Sequence, residues 1–297
     1  MPKIVLITGA TGLLGCHLAK SLHLLDEYHV ISHGFSSAAD VQFDLTDARD
    51  TSNNLVKICP DIIINLVACT DVDKCEFNPN LAYNLNVKTV ENIVNCIIDK
   101  ELSSHLIHIS TDQLYDNAVS NSVSKEHDIC LKNYYAFSKY AGELVAAKIN
   151  ATILRVNFFG KSSVEGRNSF SDWLVQSAIT QQQINLFKDV YFSPLSIKTL
   201  SIAIQQILNK SISGVYNLGS SSGISKADFA LMLYDILGFS TNNMTLVNYK
   251  SVDHQVVRPS NMQMDSSLFE ETYGIKLPSI QEEIQFMKLE YQEICAL

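Results

Sequence analysis

The first fifteen residues carry the feature that most constrains the fold. Residues 3–8 form a short apolar run typical of a buried β-strand, and the chain continues directly into Gly9-Ala-Thr-Gly12-Leu-Leu-Gly15. Leucines at positions 14, 18, 22 and 25 then repeat with a helical period. Glycines at these points permit a tight strand-to-helix turn, close approach of backbone to a pyrophosphate, and close packing of the helix on the strand. The run therefore predicts a phosphate-binding turn at a helix N-terminus.

The glycine spacing alone does not settle that prediction. It is Gly-x-x-Gly-x-x-Gly, whereas the dehydrogenase fingerprint is Gly-x-Gly-x-x-Gly. An ordinary strand-to-helix turn without a ligand also fits the loop by itself, so the prediction depends on motifs further along the chain.

Short apolar strands alternate with helical patterns through the first half of the chain. The longest helical patterns run over 79–100 and 136–149. This alternation predicts an α/β fold with a Rossmann-type doubly wound parallel sheet covered on both faces. The strand candidates are 3–8, 28–32, 41–43, 61–66, 105–110 and 151–157.

The pattern becomes irregular after residue 157. A loop at 160–168 is followed by short strands at 184–193 and 214–218, and by helices near 169–181, 196–209, 225–237 and 280–293. We predict a dinucleotide-binding Rossmann domain over 1–160. The remainder, 161–297, is predicted to be a smaller, interleaved and mostly substrate-binding part, with a strand and helix at about 184–218 returning to the Rossmann sheet.

Composition and charge limit the classes of partner. A hydrophobic content of 46% with 18% charged residues excludes disorder, and no apolar run approaches the roughly 18 residues of a membrane span. The net charge of −9 disfavours nucleic acid and anionic membranes as partners. The amino-terminal apolar segment is broken by glycines, unlike a signal peptide. Seven scattered cysteines without a Cys-x-x-Cys indicate reduced thiols of a cytoplasmic protein. None of the eight histidines has a metal-ligand spacing, so no transition-metal site is expected.

Two polar stretches carry candidate chemistry. Tyr135 and Lys139 stand four residues apart, on one face of a predicted helix. A lysine held near a tyrosine stabilises the phenolate, and such a tyrosine can donate a proton to a carbonyl oxygen. The second stretch, His108-Ile-Ser110-Thr111-Asp112, ends the fifth predicted strand, where open α/β sheets bind ligands. A surface Tyr/Lys pair and a Ser/Thr/Asp turn are the simpler explanations of each stretch alone.

Taken in order, these stretches resemble the extended short-chain dehydrogenase/reductase superfamily and, within it, the dTDP-4-dehydrorhamnose reductase family. The resemblance covers nearly the whole chain. The matching runs are the glycine loop, Phe43-Asp44-Leu45, Asn65-Leu-Val-Ala68-Cys-Thr70-Asp-Val-Asp-Lys-Cys-Glu76, Asn84-Leu-Asn86, Ser110-Thr-Asp112, the Tyr135/Lys139 pair, Leu154-Arg155 and Val257-Arg258-Pro259-Ser-Asn261.

The resemblance implies an NAD(P)H-dependent reductase of a nucleotide-linked 4-keto-6-deoxy sugar, in dTDP-rhamnose or polysaccharide biosynthesis, with a homodimer as a candidate assembly. Hydride would come from the nicotinamide and the proton from Tyr135, while Thr111 polarises the carbonyl and Lys139 positions the ribose and tunes Tyr135. Asp112, Phe158 and Arg258 would contact the nucleotide sugar, with Arg258 on its pyrophosphate. The implied cofactor contacts are Gly9, Thr11, Gly12, Leu13, Leu14, Gly15, Ser32, His33, Asp44, Leu45, Leu66, Val67, Ala68, Thr70, Tyr135 and Lys139.

Some positions depart from the family pattern. The chain reads Gln113-Leu-Tyr-Asp116-Asn117 where the family usually continues Tyr-Val-Phe-Asp-Gly, and Phe158 stands near a family tryptophan that faces the substrate. Residues 32–37 hold no acid to accept the ribose hydroxyls of NAD. This absence favours NADP as the cofactor, with NAD as the alternative. Lys161, Arg167 and Lys188 are other candidate cations, and a solvated surface charge is the simpler explanation of each.

Two alternatives remain open from the sequence. The regulatory β subunit of methionine adenosyltransferase resembles the same family and shares a Gly-Phe like Gly34-Phe35, which would make the chain a non-catalytic NADP-binding partner. The other alternative is a nucleotide-sugar epimerase or dehydratase. Dehydratases generally carry an Asp-Glu pair after the catalytic threonine, whereas Thr111 is followed by Asp112-Gln113.

Overall fold

A computed structural model of the chain describes residues 2–117, 122–252 and 255–291. The strands are β1 Lys3–Thr8, β2 Tyr28–Gly34, β3 Val41–Gln42, β4 Ile62–Asn65, β5 His105–Thr111, β6 Ala151–Val156, β7 Phe158–Phe159, β8 Ile184–Phe187, β9 Tyr191–Phe192, β10 Leu195–Ser196, β11 Gly214–Leu218, β12 Ile224–Ser225, β13 Met244–Val247 and β14 Asn261–Met262. The α-helices are α1 Leu13–Leu22, α2 Ala48–Ile58, α3 Val72–Phe77, α4 Pro79–Tyr83, α5 Thr89–Asp99, α6 Tyr134–Ala146, α7 Phe170–Ile179, α8 Ile197–Asn209, α9 Lys226–Leu237, α10 Ser267–Tyr273 and α11 Ile280–Glu290.

The central sheet has seven strands in the order β11-β6-β5-β4-β1-β2-β3. The pairings from β3 through β5 are parallel. β4 and β6 are buried along their full length, as expected where helices cover both faces of a sheet. The chain order reverses between β1 and β4, the position at which doubly wound sheets bind ligands. The predicted α/β, Rossmann-type fold is confirmed.

The chain divides into two compact units. Unit 1 comprises Met1–Thr111, Lys132–Arg155 and Ser201–Tyr216, and unit 2 comprises Asp112–Leu131, Val156–Leu200 and Asn217–Leu297. The functional division at residue 160 stays a prediction. β11 joins the seven-stranded sheet, whereas β8 pairs with β13 inside unit 2.

Each unit has its own apolar core. In unit 1, Leu6 and Ile63 of the sheet pack with Val90 and Ile93 of α5. In unit 2, Phe159, Phe192 and Phe229 pack together with α7, α9 and α11, and the rings of Phe159 and Phe229 meet edge to face at 4.8 Å.

The helical pattern over 79–100 is not one regular helix. α4 begins with Pro79 behind the Asn78 cap, whose side chain accepts the Leu81 N–H. A π-helical turn over Asn84–Lys88 then separates α4 from α5. Such turns insert an extra residue and often accompany functional sites. Here the turn carries Asn86.

Candidate functional site

The glycine loop of unit 1 joins β1 to α1. Gly9 has φ +69°, a left-handed conformation that favours glycine. A Cβ on Gly15 would collide with the Gly9 carbonyl oxygen and lie 2.7 Å from Ala10 Cα. Gly15 therefore lets the first turn of α1 pack directly on the end of β1.

The N-terminus of α1 fits a dinucleotide pyrophosphate. Gly12 is the N-cap and provides no side-chain cap, and the Cys16 N–H makes the first intrahelical bond, 2.9 Å from the Gly12 oxygen. The amides of Leu13, Leu14 and Gly15 precede that bond and have no intrahelical acceptor. Apart from its chain neighbours, the Gly9 oxygen, at 3.2 Å, is the one described atom within 4 Å of a Cβ built on Gly12. The space that a side chain at Gly12 would occupy is therefore otherwise open. Amides at an uncapped helix start are the donors that a pyrophosphate needs.

His33 supports this loop from behind. Its side chain is 2% exposed. Nδ1 accepts the Gly9 N–H at 3.4 Å and Nε2 donates to the Phe43 oxygen at 2.9 Å, and burial lowers the pKa of His33. Both ring nitrogens are thus engaged with backbone. The side chain of His33, a predicted cofactor contact, therefore holds the glycine loop in place.

Two carboxylates follow the strands at this edge of the sheet: Asp40 lies between β2 and β3, and Asp44 follows β3. Asp40 Oδ2 accepts the Ser32 N–H at 2.8 Å and the Ser32 hydroxyl at 2.6 Å, and these bonds lower the pKa of Asp40. Asp44 Oδ1 accepts the N–H and hydroxyl of Thr46. Asp40 lies outside the 32–37 stretch that the sequence pattern singled out, and a loop brings it back to Ser32.

The residues after β4 pack against the glycine loop. A Cβ on Gly9 would lie 3.2 Å from the Leu66 carbonyl carbon and from the Val67 nitrogen. Asn65 Oδ1 accepts from Thr8 Oγ1 at 2.7 Å and from the Val67 N–H at 3.3 Å. The predicted contacts 66–68 are partly exposed beside the loop, and Thr70 is exposed.

Tyr135 and Lys139 lie in the first turns of α6. The Asn133 side chain caps the helix through the Ala136 N–H, at 2.9 Å. Lys139 is 2% exposed, and its Nζ donates to the Ile109 oxygen of β5 at 2.6 Å. Burial lowers the pKa of Lys139 to about 8, while the carboxylate of Glu143 opposes that shift. Tyr135 and Thr111 are also buried in unit 1. The structure thus links the predicted Tyr/Lys pair to the strand that ends at Thr111.

Asn86 is a site residue to which the sequence assigned no role. Its Oδ1 accepts the Cys69 N–H at 2.7 Å, and its Nδ2 donates to the Cys69 oxygen at 3.1 Å and to Ser138 Oγ at 2.8 Å. A Cβ on Gly142 would collide with the Asn86 oxygen. Asn86 therefore holds the loop after β4 to α6. Its signal was the Asn84-Leu-Asn86 match, which names a residue without showing its contacts.

Unit 2 contains a cavity of about 240 Å³. Arg258 lines it, as does Gln113, one of the departures from the family pattern. Phe158 lies in β7, paired with β10, and the cavity is lined instead by its neighbour Asn157. The lining residues are Gln113, Asn157, Phe170, Trp173, Asn185, Leu186, Phe187, Val190, Lys226, Tyr249, Arg258, Pro259 and Met262.

Aromatic rings and charges are combined in this cavity. Phe170 stacks on Trp173 with centroids 5.8 Å apart, and Phe187 meets Tyr249 edge to face at 5.4 Å. The Arg258 N–H donates to the Tyr249 hydroxyl at 2.8 Å. Such a cavity can stack a planar ring and bind an anion.

Asp112 and Lys226 form the second polar feature of unit 2. Asp112 is 1% exposed, and its Oδ2 accepts from Asn157 Nδ2 at 2.6 Å. Lys226 Nζ lies 3.3 Å from the Phe192 ring centroid and 4.6 Å from that of Phe170. Burial lowers the pKa of Lys226 to about 8, and the Asp112 carboxylate opposes that shift. The sequence did not single out Lys226, because it reads as the first residue of an ordinary helix.

Comparison with known proteins identifies the family. The family model described as the RmlD substrate binding domain matches residues 3–292. The chain belongs to this family. It is 28% identical over 289 residues to a dTDP-4-dehydrorhamnose reductase of Aggregatibacter actinomycetemcomitans, covering 92% of this chain and 94% of the relative.

Solved structures agree with this membership. A hypothetical dTDP-4-dehydrorhamnose reductase from Sulfolobus tokodaii is 30% identical, covers 91% of this chain and 94% of its own, and gives a TM-score of 0.79. The dTDP-4-dehydrorhamnose reductase of Bacillus anthracis, solved in complex with NADP, is 24% identical, covers 98% and 100%, and gives a TM-score of 0.87. The resemblance read from the motifs is confirmed.

Neither a metal-binding cluster nor a membrane-spanning helix is found in the described part of this RmlD-family protein. Over the described ranges, no group of three or more histidine, cysteine, aspartate or glutamate side chains could hold a metal ion. Within the same ranges, no helix is long and apolar enough to cross a membrane.

Proposed function

We propose that this RmlD-family protein is an NAD(P)H-dependent reductase of a nucleotide-linked 4-keto-6-deoxy sugar. The observation that carries the proposal is the position of the Lys139 ammonium. Lys139 is buried one helical turn after Tyr135, and its ammonium donates to the Ile109 oxygen. A buried cation on the same helix face as a tyrosine supports proton donation by that tyrosine. β5, to which Lys139 is tied, ends at Thr111.

The residues of unit 1 divide the chemistry of carbonyl reduction. When bound, the cofactor supplies hydride to the carbonyl carbon. Tyr135 Oη donates the proton that the carbonyl oxygen takes up, and Thr111 donates a hydrogen bond that polarises the carbonyl. Lys139 favours the phenolate left on Tyr135 by its charge. The backbone donors at the start of α1 bind the cofactor pyrophosphate.

The proposed cofactor is NADP(H), with NADH as the alternative. The Bacillus anthracis relative was solved with NADP, and this relation supports the phosphorylated cofactor. Asp40, held on Ser32, places a carboxylate near the end of β2, where acids accept ribose hydroxyls. Because the relative supports NADP and the Asp40 carboxylate would also suit NAD, the activity assay includes both NADPH and NADH.

The cavity of unit 2 supports a nucleotide sugar as substrate. Its stacked Phe170 and Trp173 suit a planar base, and the Arg258 fork suits a diphosphate. The relative from Aggregatibacter actinomycetemcomitans is named for dTDP-4-dehydrorhamnose, which makes dTDP-linked 4-keto-6-deoxy sugars the first substrates to test.

The decisive experiment follows NADPH and NADH oxidation by absorbance with dTDP- and UDP-linked 4-keto-6-deoxy sugars. Cofactor oxidation that requires the sugar and yields the 4-hydroxy product supports the proposal. A protein that binds NADPH but turns over none of these sugars would instead favour the non-catalytic binding subunit. Sugar conversion without net cofactor oxidation would indicate an epimerase, and loss of water from a dTDP- or UDP-linked hexose supplied in place of the keto sugar would indicate a dehydratase.

A further inference from the structure

The ammonium of Lys226 lines the unit 2 cavity without a hydrogen-bond acceptor among the described residues. Its close partners are the faces of Phe192 and Phe170, at 3.3 and 4.6 Å from Nζ. The backbone N–H of the same residue is engaged, because it donates to the Val190 oxygen at 2.9 Å. By contrast, the buried ammonium of Lys139 donates to a carbonyl oxygen.

Ring faces hold this cation in place without using its donors. A cation over an aromatic face is attracted by the ring quadrupole, and none of its N–H bonds is consumed by an acceptor. The Asp112 carboxylate favours the charged form from nearby, while Asn157 occupies Asp112 Oδ2. Lys226 is thus oriented by the two rings, and its ammonium can still donate to a ligand in the cavity.

Arg258 gives the same cavity a second cation. Two cations in a cavity that also carries aromatic rings suit a ligand with a planar ring and more than one oxyanion. A nucleoside diphosphate has both parts. An uncharged sugar or nucleoside would leave the Lys226 charge without a partner.

We propose that Lys226 binds a phosphoryl oxygen of the nucleoside-diphosphate part of the substrate, together with Arg258, and thereby determines the preference for diphosphate-linked sugars. This inference rests on the proposed function and extends it to a residue outside the matched motifs. The Asp112 carboxylate then acts on binding only through Lys226, by favouring its charged form.

The test measures binding of dTDP and UDP by calorimetry at pH 7, without sugar or turnover. Lys226→Met keeps the length and apolar stem that pack on Phe170 and Phe192 but removes the charge. Lys188→Met is the matched control, because Lys188 is exposed in unit 2 and does not line the cavity. We expect Lys226→Met to weaken dTDP binding roughly tenfold to a hundredfold, as for loss of a charge-assisted hydrogen bond. Lys188→Met should bind as wild type, and both variants should bind NADPH as wild type.

A second measurement uses the wild-type protein and does not depend on the variant folding. Acetylation of lysine amines is followed residue by residue by mass spectrometry, with and without dTDP. We expect dTDP to protect Lys226 and to leave Lys188 unprotected. Equal acetylation of Lys226 in both conditions would overturn the proposal.

The outcomes separate this inference from the proposed function. A Lys226→Met variant with wild-type dTDP affinity, in a protein that reduces dTDP-linked keto sugars, overturns the role of Lys226 alone. Equal weakening by Lys188→Met also overturns it, because the effect would then be one of net charge. A wild-type protein that binds neither dTDP nor UDP and reduces no nucleotide sugar overturns both.

Discussion

The ammonium of Lys139 donates a 2.6 Å hydrogen bond to the carbonyl oxygen of Ile109, which ties the middle of α6 to β5. The bond orders a charge that burial would otherwise disfavour. Because Tyr135 precedes Lys139 by one helical turn and Thr111 follows Ile109 by two residues, a single contact orders the segments that carry the three proposed catalytic side chains.

Replacing Tyr135 by phenylalanine tests the proton donor. The change removes the hydroxyl and keeps the buried ring, so we expect turnover to fall by roughly 10²–10⁴ with the fold and NADPH affinity unchanged. Single-turnover kinetics with the keto sugar measure the fall, and a thermal melt checks the fold. Wild-type turnover by the folded variant would exclude Tyr135 as the donor.

Two glycines of the α1 loop should respond differently to a side chain. A Cβ on Gly12 meets only the Gly9 oxygen, at 3.2 Å, whereas a Cβ on Gly15 collides with backbone of Gly9 and Ala10. Gly12→Val should therefore fold and lose NADPH binding, because the side chain occupies the position proposed for the pyrophosphate. Gly15→Ala, by contrast, should lower the melting temperature, because the backbone around the new methyl group must shift at a cost of about 1–3 kcal/mol of unfolding free energy.

Calorimetry with NADPH and thermal melts separate the two glycine effects. Unchanged NADPH affinity in a folded Gly12→Val variant would contradict the assignment of the loop. A Gly15→Ala variant as stable as wild type would contradict the packing argument instead.

Glu143 and Arg155 form a buried ion pair whose loss should destabilise unit 1. Arg155 Nη2 lies 2.6 Å from Glu143 Oε2, and each side chain is 3% exposed. Glu143→Gln removes the carboxylate charge that Arg155 Nη2 contacts, and breaking a buried ion pair by removing one partner costs about 3–5 kcal/mol of unfolding free energy. Denaturant unfolding measures the loss. The matched control is Lys276→Met, which breaks an exposed pair with Glu270 and should leave stability nearly unchanged.

Acidification should destabilise the protein through three histidines of unit 1, of which His33 and His108 are buried and His105 is half-buried. Burial lowers the pKa of His33, His105 and His108 below 6.5. The unfolded chain then binds protons more readily than the folded chain, so this stability is fully present above about pH 6.5 and is lost as the pH falls through the lowered values. Melting temperatures measured at neutral and at mildly acidic pH should show the drop.

Single variants identify the histidines responsible for the acid effect. His105→Gln should reduce the drop in melting temperature between neutral and mildly acidic pH. His127→Gln should leave it unchanged, because that side chain is 80% exposed. An identical drop in the wild type and both variants would exclude His105 as a source of the acid sensitivity.

Local patterns predicted the fold well because the features that define it are local. The apolar runs that became β1, β4 and β6 are continuous in sequence, and helical periods are legible over single segments. The π-turn at Asn84–Lys88 escaped prediction, because the Asn86 contacts with Cys69 and Ser138 come from elsewhere in the chain.

Candidate site residues could be named where a short motif carries them, whereas contacts that only the fold assembles were not predicted. Tyr135 and Lys139 share a short motif, and the structure places both in one helix. Asp40 reaches Ser32 only through the loop after β2, and Lys226 meets the Phe192 and Phe170 rings from separate segments. No spacing rule signals such contacts, since they depend on tertiary packing.

Arg258 allows the last and most direct test of the nucleotide-sugar site. Arg258→Gln keeps a polar side chain in the cavity but removes the charged guanidinium. KM for the nucleotide sugar should therefore rise roughly tenfold to over a hundredfold, which corresponds to about 1.5–3 kcal/mol of binding free energy. NADPH affinity should barely change, because the proposed donors to the cofactor pyrophosphate are the backbone amides at the start of α1. Steady-state kinetics and NADPH titration measure the two effects. Equal loss of both affinities would indicate a structural role for Arg258, and loss of neither would contradict its role in binding the substrate.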